Sequence, residues 1–106
     1  MEKIIGQATK EQIALWKEQH KDVFAIKVED SESKLHVCYL RRPKRRDLSA
    51  ATVAGQANPL KFNEVILRQC WLGGDEEIRK DDALFLSASG KIPDLIEVAE
   101  AELEKL

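Results

Sequence analysis

Two cysteines, two histidines and a run of carboxylates are the residues of this 106-residue chain that could do chemistry. A strand's period of two puts His36 and Cys38 on one face. With Cys70 and His20 they form a nominal set of zinc-type ligands. Structural zinc sites usually pair their ligands as C-x-x-C or H-x-x-x-H, and neither spacing occurs, so no metal is expected. Cys70 and a histidine could be drawn as a nucleophile and its base, which requires a pocket joining His36, Cys38 and Cys70. A reactive thiol also needs an electropositive neighbour; two small core residues with reduced thiols are the simpler expectation. Asp75, Glu76 and Glu77 follow Gly73-Gly74. Clustered carboxylates suit Mg²⁺ or Ca²⁺, but the alternating acids of a calcium loop are absent. Acids after a glycine stop more often cap the next helical turn. Gly73-Gly74 also lacks the Lys-Ser/Thr of a phosphate loop. No catalytic residue and no cofactor is expected.

The densest charge is Arg41-Arg42-Pro43-Lys44-Arg45-Arg46, five cations in six residues. Three readings fit it: a solvated strand-to-helix junction, a contact for an acidic protein surface through paired arginine bonds, and a phosphate contact on nucleic acid. Nucleic-acid domains are usually strongly basic, whereas this chain has a net charge of −2. The nearby aromatic, Tyr39, is assigned by strand alternation to the core face. Arg41, Arg42, Lys44, Arg45 and Arg46 are therefore expected as one partner-binding patch. Charge is unevenly spread: residues 1–74 carry 13 Lys/Arg against 9 Asp/Glu, and residues 75–106 carry 4 against 10. The two halves could pair within one molecule or between two, and a heterologous pairing builds chains rather than closed dimers.

The elements that must position these groups follow from periodicity and caps. The length suits a single domain over 1–106, and an apolar share of 43% supports a core without a disulfide or metal staple. Thr9-Lys10-Glu11-Gln12 has the form of a capping box and opens a helix of about 10–20, with Ile13, Trp16 and His20 on one side. An antiparallel hairpin is expected over about 23–41. Phe24, Ile26 and Val28 line its inner face, joined there by Leu35, Val37 and Tyr39. A hairpin alone is marginal in water, so the helical region 44–106 must cover it. There a helix of about 44–54 turns Leu48, Ala51 and Val53 inward and closes near Gly55. Asn58-Pro59 starts a second helix running to about Leu72, with Phe62, Val65, Ile66 and Cys70 on a stripe and Gly73-Gly74 as its stop. Asp81-Asp82 opens a short helix through Leu84, Phe85 and Leu86. Gly90 and Pro93 separate it from a last helix with Ile92, Leu95, Ile96, Ala99 and Leu103 inside and Glu97, Glu100, Glu102 and Glu104 outside. Trp16 and Trp71 are expected in the core rather than as binding hot spots. The fold class is α+β: an N-terminal helix and an antiparallel β-hairpin packed against about four C-terminal helices. No run approaches the roughly 20 apolar residues of a membrane span, and the N-terminus lacks a signal peptide's pattern.

Two stretches, KLHVCYLRRPKRRDLSAA (34–51) and NPLKFNEVILRQCWLGGDEEI (58–78), resemble small phage or prophage proteins of the tail assembly chaperone type. In that type a short β element precedes a helical region with an E-x-x-L-x-x-C-like helix, a spacing matched by Glu64, Leu67 and Cys70. The likeness spans roughly residues 20–80. It implies a non-enzymatic protein in the cytoplasm of the bacterial host cell, which binds the tape-measure protein and helps load tail-tube subunits without staying in the finished particle. No binding residue carries over from it. The rival expectation is a small nucleic-acid-binding regulator using the Arg41–Arg46 junction, which salt-steep binding of duplex DNA would reveal.

Overall fold

The computed structural model describes residues 4–96 and 101–106. A two-residue strand, β1 (Ile4–Ile5), precedes helix α1 (Lys10–His20). Thr9 opens α1 through the expected capping box. Its Oγ1 accepts from the Gln12 N–H at 3.1 Å, and Gln12 Oε1 accepts from the Thr9 N–H at 3.2 Å. These bonds satisfy two amides that a helix start otherwise leaves without partners. Ile13, Trp16 and His20 are half-buried, on the side expected. At the helix end Lys21 takes φ +69° and ψ −61°, and the Asp22 N–H reaches the His20 carbonyl at 2.7 Å. This is a γ-turn, which redirects the chain into the sheet within one residue.

Strands β2 (Val23–Glu29) and β3 (Leu35–Arg41) form the expected hairpin, with Glu29 opposite Leu35 and Val23 opposite Arg41. The hairpin is only half of the sheet. On its other edge β3 pairs in parallel with β1 (Ile5 opposite His36) and antiparallel with β4, Trp71–Gly74 (Cys38 opposite Gly74). The result is a four-stranded mixed sheet, where sequence patterning suggested an antiparallel pair alone. Two residues are too few to show a period, and β4 follows its helix without an intervening turn.

Register also corrects the inner face. Phe24, Ile26 and Val28 lie opposite Leu40, Cys38 and His36, and directly opposed residues share a face. Leu35, Val37 and Tyr39 therefore point the other way. Val37 and Tyr39 are nonetheless buried. Trp16 of α1 packs 5.4 Å from the Tyr39 ring, and the Tyr39 hydroxyl accepts from the Ala8 N–H at 3.1 Å. A central strand covered on both faces loses its alternation, so the single-face reading fails for β3.

The main core lies on the Ile26 face. Cys38 and Leu40 meet Ala51 of α2 (Arg45–Gly55), Ile66, Leu67 and Cys70 of α3 (Leu60–Cys70), and Ile78 of α4 (Glu77–Lys80). Leu84 and Ala88 of α5 (Asp82–Ser89) and Ile92 and Leu95 of α6 (Ile92–Leu95) close it. Both cysteines are buried and unbridged, as expected. Five helices thus follow the hairpin among the described residues, rather than about four.

Several helix details differ from expectation. Val53 is 67% exposed, because Ala51 already takes the inward position on that turn. The second helix ends at Cys70 rather than Leu72, and Gly73-Gly74 belong to β4 instead of stopping it. Asn58 caps as expected, its Oδ1 accepting from the Leu60 N–H at 3.1 Å. Pro93 lies in the first turn of α6, where its missing N–H costs nothing, rather than before the helix. Ile92 and Leu95 are buried, but Leu103 is fully exposed and residues 101–106 are not helical. Glu97, Ala99 and Glu100 lie outside the described residues. No helix among the described residues is long and apolar enough to cross a membrane.

Candidate functional site

The five-cation run divides by environment. Arg41, the last residue of β3, is buried and bound to Asp47 in the first turn of α2. Its Nη1 lies 2.7 Å from Asp47 Oδ2 and its Nη2 3.2 Å from Oδ1, a bidentate pair. Nη2 also donates to the Gln69 carbonyl at 3.0 Å, and Nη1 to the Arg42 carbonyl at 3.2 Å. Asp47 Oδ2 accepts the Lys44 N–H at 2.7 Å. One ion pair therefore ties the end of the central strand to the start of α2 and the end of α3. The hydrogen bond from Arg41 holds the Asp47 carboxyl below its ordinary range, with burial opposing. The same bond raises Arg41, against its own desolvation. Arg41, expected in the contact patch, is instead the anchor beneath it: Asp47 and the Gln69 carbonyl draw its guanidinium inward and leave its side chain 11% exposed.

Arg42 lies with its guanidinium 4.8 Å from the Phe24 ring centre and its Nε 3.5 Å from Asp22. Lys44, Arg45 and Arg46 are exposed. The patch that solvent meets is thus this trio with Arg42 beside it. Trp71, expected in the core, is half-buried, with the Arg79 guanidinium 4.1 Å from its ring centre.

At the opposite end of β3 lies a group that sequence reading missed. His36 Nδ1 stands 2.6 Å from Asp75 Oδ2 and Nε2 2.7 Å from Asp30 Oδ2. Carboxylates only accept, so an imidazolium alone satisfies both at once. Asp30 Oδ1 also accepts the Glu32 and Lys34 N–H groups at 2.8 and 2.9 Å, which closes the hairpin loop. Asp75 donates its N–H to the Val37 carbonyl at 2.9 Å and accepts the Glu77 N–H at 3.2 Å. His36 thereby latches the hairpin loop to the start of α4. Its hydrogen bonds to Asp30 and then to Asp75 raise its pKa above the ordinary 6.5, with burial opposing. The bond to His36, followed by that from Lys34, lowers Asp30.

Half of this latch was within reach of sequence. In the hairpin register Asp30 and His36 are diagonal neighbours across the two strands. Asp75 was out of reach, since it is placed by β4, which patterning assigned to a helix end.

A raised folded pKa means that folding takes up a proton, so the contribution of His36 is complete below about pH 6.5 and declines as pH rises through the folded value. Asp30 acts on the acid flank: its contribution is present above its ordinary 3.8 and lost as pH falls through its lowered value. Urea midpoints measured from about pH 5 to about pH 9 should fall on the alkaline side. His36→Gln, which is uncharged and carries both its donors on one nitrogen instead of on opposite sides of a ring, should be less stable at pH 6 and should flatten that limb. A wild-type curve flat across this range would contradict the latch.

The chemistry these groups can do is limited. Both His36 nitrogens are committed to carboxylates, so neither is free to accept a proton. Burial pushes the Cys38 thiol up to about 12 and the Cys70 thiol up to about 11, far from a nucleophilic thiolate at neutral pH. His20 belongs to α1, which packs on the Tyr39 face, across the sheet from Cys38. Among the described residues no group of three or more His, Cys, Asp and Glu could hold a metal ion. Asp75 caps the turn that starts α4, as expected for acids after the glycines.

Beside the latch an open groove of about 500 Å³ runs between the hairpin loop and helices α4 and α5. Ile5, Ala83 and Leu84 supply its apolar lining, and five carboxylates line it with Lys34 and His36. β3 separates this acidic end from the basic junction by about 20 Å, six steps of about 3.3 Å.

No family model matches the chain, and no curated protein does. The chain is similar in fold to the solved structure of the uncharacterised protein rbstp2171 from Bacillus stearothermophilus. That likeness has a TM-score of 0.55 at 20% identity and covers 87% of this chain and 99% of the other. It concerns the fold alone.

Proposed function

We propose that this protein is a non-enzymatic, protein-binding assembly factor of the tail assembly chaperone type. Its groups with chemical potential are bound into structure, whereas its basic junction places exposed cations where folding does not favour them. The observation that carries the reading is the position of Lys44, Arg45 and Arg46. They stand at and just inside the N-terminus of α2, the positive end of the helix dipole, where a cation is destabilising by about 0.3–1 kcal/mol. A junction under selection for folding alone would place acids there, as Asp47 does. Arg46 is partly compensated by the attraction of Asp47, but exposed cations held against that preference, on a base fixed by Arg41–Asp47, fit recognition of a carboxylate-rich protein surface. The resemblance of residues 34–51 and 58–78 to tail assembly chaperones supplies the candidate partners: a tape-measure protein and tail-tube subunits.

Stability and binding should respond in opposite directions. Arg45→Glu is expected to raise thermal stability by a few tenths of a kcal/mol, to about 1 at most, while weakening partner binding at least about tenfold. The test is affinity for purified tape-measure and tube proteins from the same genome, measured beside the K44S/R45S/R46S triple variant. Affinity unchanged by the triple variant would overturn this reading. So would binding confined to duplex DNA with a steep salt dependence, which belongs to a nucleic-acid regulator.

A further inference from the structure

We propose that the protein associates head to tail with copies of itself, the basic junction of one copy docking in the acidic groove of the next. This contact does not depend on the assembly-factor reading. It follows from where the fold puts opposite charges.

The groove beside the His36 latch has the character of a receiving surface. Its lining offers apolar contact through Ile5, Ala83 and Leu84. Five carboxylates, Glu29, Asp30, Glu32, Glu77 and Asp81, face two cations there, Lys34 and His36. Lys34 is already engaged with Glu32 at 3.3 Å, and His36 with Asp30 and Asp75. A negative excess therefore remains around an apolar floor. At the far end of β3, Lys44, Arg45 and Arg46 present the complementary charge on long side chains whose stems are apolar.

Geometry decides between pairing within a molecule and pairing between molecules. The groove abuts the Leu35 end of β3, and the cations follow its Arg41 end. Seven residues of β3, each paired with β2 across the hairpin, hold these ends apart by about 20 Å, twice the Debye length of about 10 Å at 0.1 M salt. The two surfaces cannot meet in one copy, so they complement each other only between copies. The backbone beneath both is braced, on one side by Arg41–Asp47 and on the other by His36, so docking has to order side chains but not the segments that carry them. Because the surfaces differ, the contact is heterologous and leaves an unused basic end and an unused groove on every dimer.

The experiment is sedimentation equilibrium of the full chain at about 20 mM and about 500 mM salt, conditions under which surface charges are weakly and strongly screened. At low salt the average mass should climb above the 12.0 kDa of one copy as concentration rises, and at high salt it should return to that value. Two variants then separate the surfaces: K44S/R45S/R46S at the basic end, and E29Q/E32Q/E77Q at the groove, where all three acids are exposed. Each alone should remain a single copy, with circular dichroism and melting confirming the fold. Mixed in equal amounts they should form a one-to-one dimer and stop, since each supplies the surface that the other lacks. A wild type that stays monomeric at low salt would overturn the proposal, as would either variant still associating alone or a mixture that does not pair. The groove variant should keep its affinity for tail proteins, so failure of self-association leaves the assembly-factor reading standing.

Discussion

Asp47→Ala should remove about 3–5 kcal/mol of folding free energy, because it leaves a buried guanidinium without its counter-charge. Domains of this size have about 5–15 kcal/mol in total, so the variant should melt far below the wild type or fail to accumulate. The loss exceeds that of an ordinary ion pair for a geometric reason. The Asp47 side chain is 2% exposed and the Arg41 side chain 11%, and the carboxylate also accepts the Lys44 amide that opens α2. An exposed pair such as Lys34–Glu32 is worth about 0–1 kcal/mol by comparison. Converting both members to apolar residues, Arg41→Met with Asp47→Leu, should be milder than the single substitution, since no charge is then stranded. Urea denaturation of both variants checks this. If Asp47→Ala lost less than about 1 kcal/mol, the pair would be behaving like a surface bridge. The pH sign agrees: with Asp47 held below its ordinary 3.8, its contribution is present above about pH 4 and lost as pH falls through its folded value.

Gly74→Ala is the second large effect. Gly74 has φ +123°, and a Cβ there would sit 2.5 Å from the Val37 carbonyl oxygen and 2.6 Å from the Cys38 Cα. Both atoms belong to the backbone of the central strand, which is paired on each side and cannot retreat. Backbone strain of about 1–3 kcal/mol adds to overpacking of about 1–3 kcal/mol, so a loss of about 2–5 kcal/mol is expected. Gly90 is the internal control. It lies at φ −63°, and a methyl group added there would come no nearer than 3.4 Å to its closest neighbour, the Ser87 carbonyl oxygen. Gly90→Ala should therefore be neutral or stabilising by up to about 1 kcal/mol. The same chemical change should thus be strongly destabilising at Gly74 and not at Gly90 in thermal melts. Equal effects would mean that β4 does not press on β3 as described.

How much was legible depended on whether a signal was local. Thr9 with Gln12, Asn58 before Pro59 and Asp81 before Leu84 each fixed a helix start, because a cap acts over three residues. The hairpin 23–41 was equally readable from alternation in β2 and the polar loop between. The faces of β3 were not, since Val37, Cys38, Tyr39 and Leu40 are all buried and carry no period. β4 was hidden by continuity: Trp71 and Leu72 extend the apolar stripe of α3, and only β3 beside them makes them a strand. The candidate surfaces divide the same way. The cation cluster was visible as composition, but that Arg41 is its buried anchor depends on Asp47 and on Gln69, 28 residues downstream. The His36 latch needed Asp75, whose place depends on β4.

The pairing of β3 on both edges also constrains the order in which the molecule can be made. Its neighbours on the second edge are drawn from Ile4–Ile5 and from Trp71–Gly74, so a ribosome that has not yet released Trp71 holds a nascent chain whose most buried strand is still open along one edge from Cys38 to Leu40. Until that moment the emerging polypeptide displays an unprotected template for strand addition. Synthesis of the second half is therefore what silences the first.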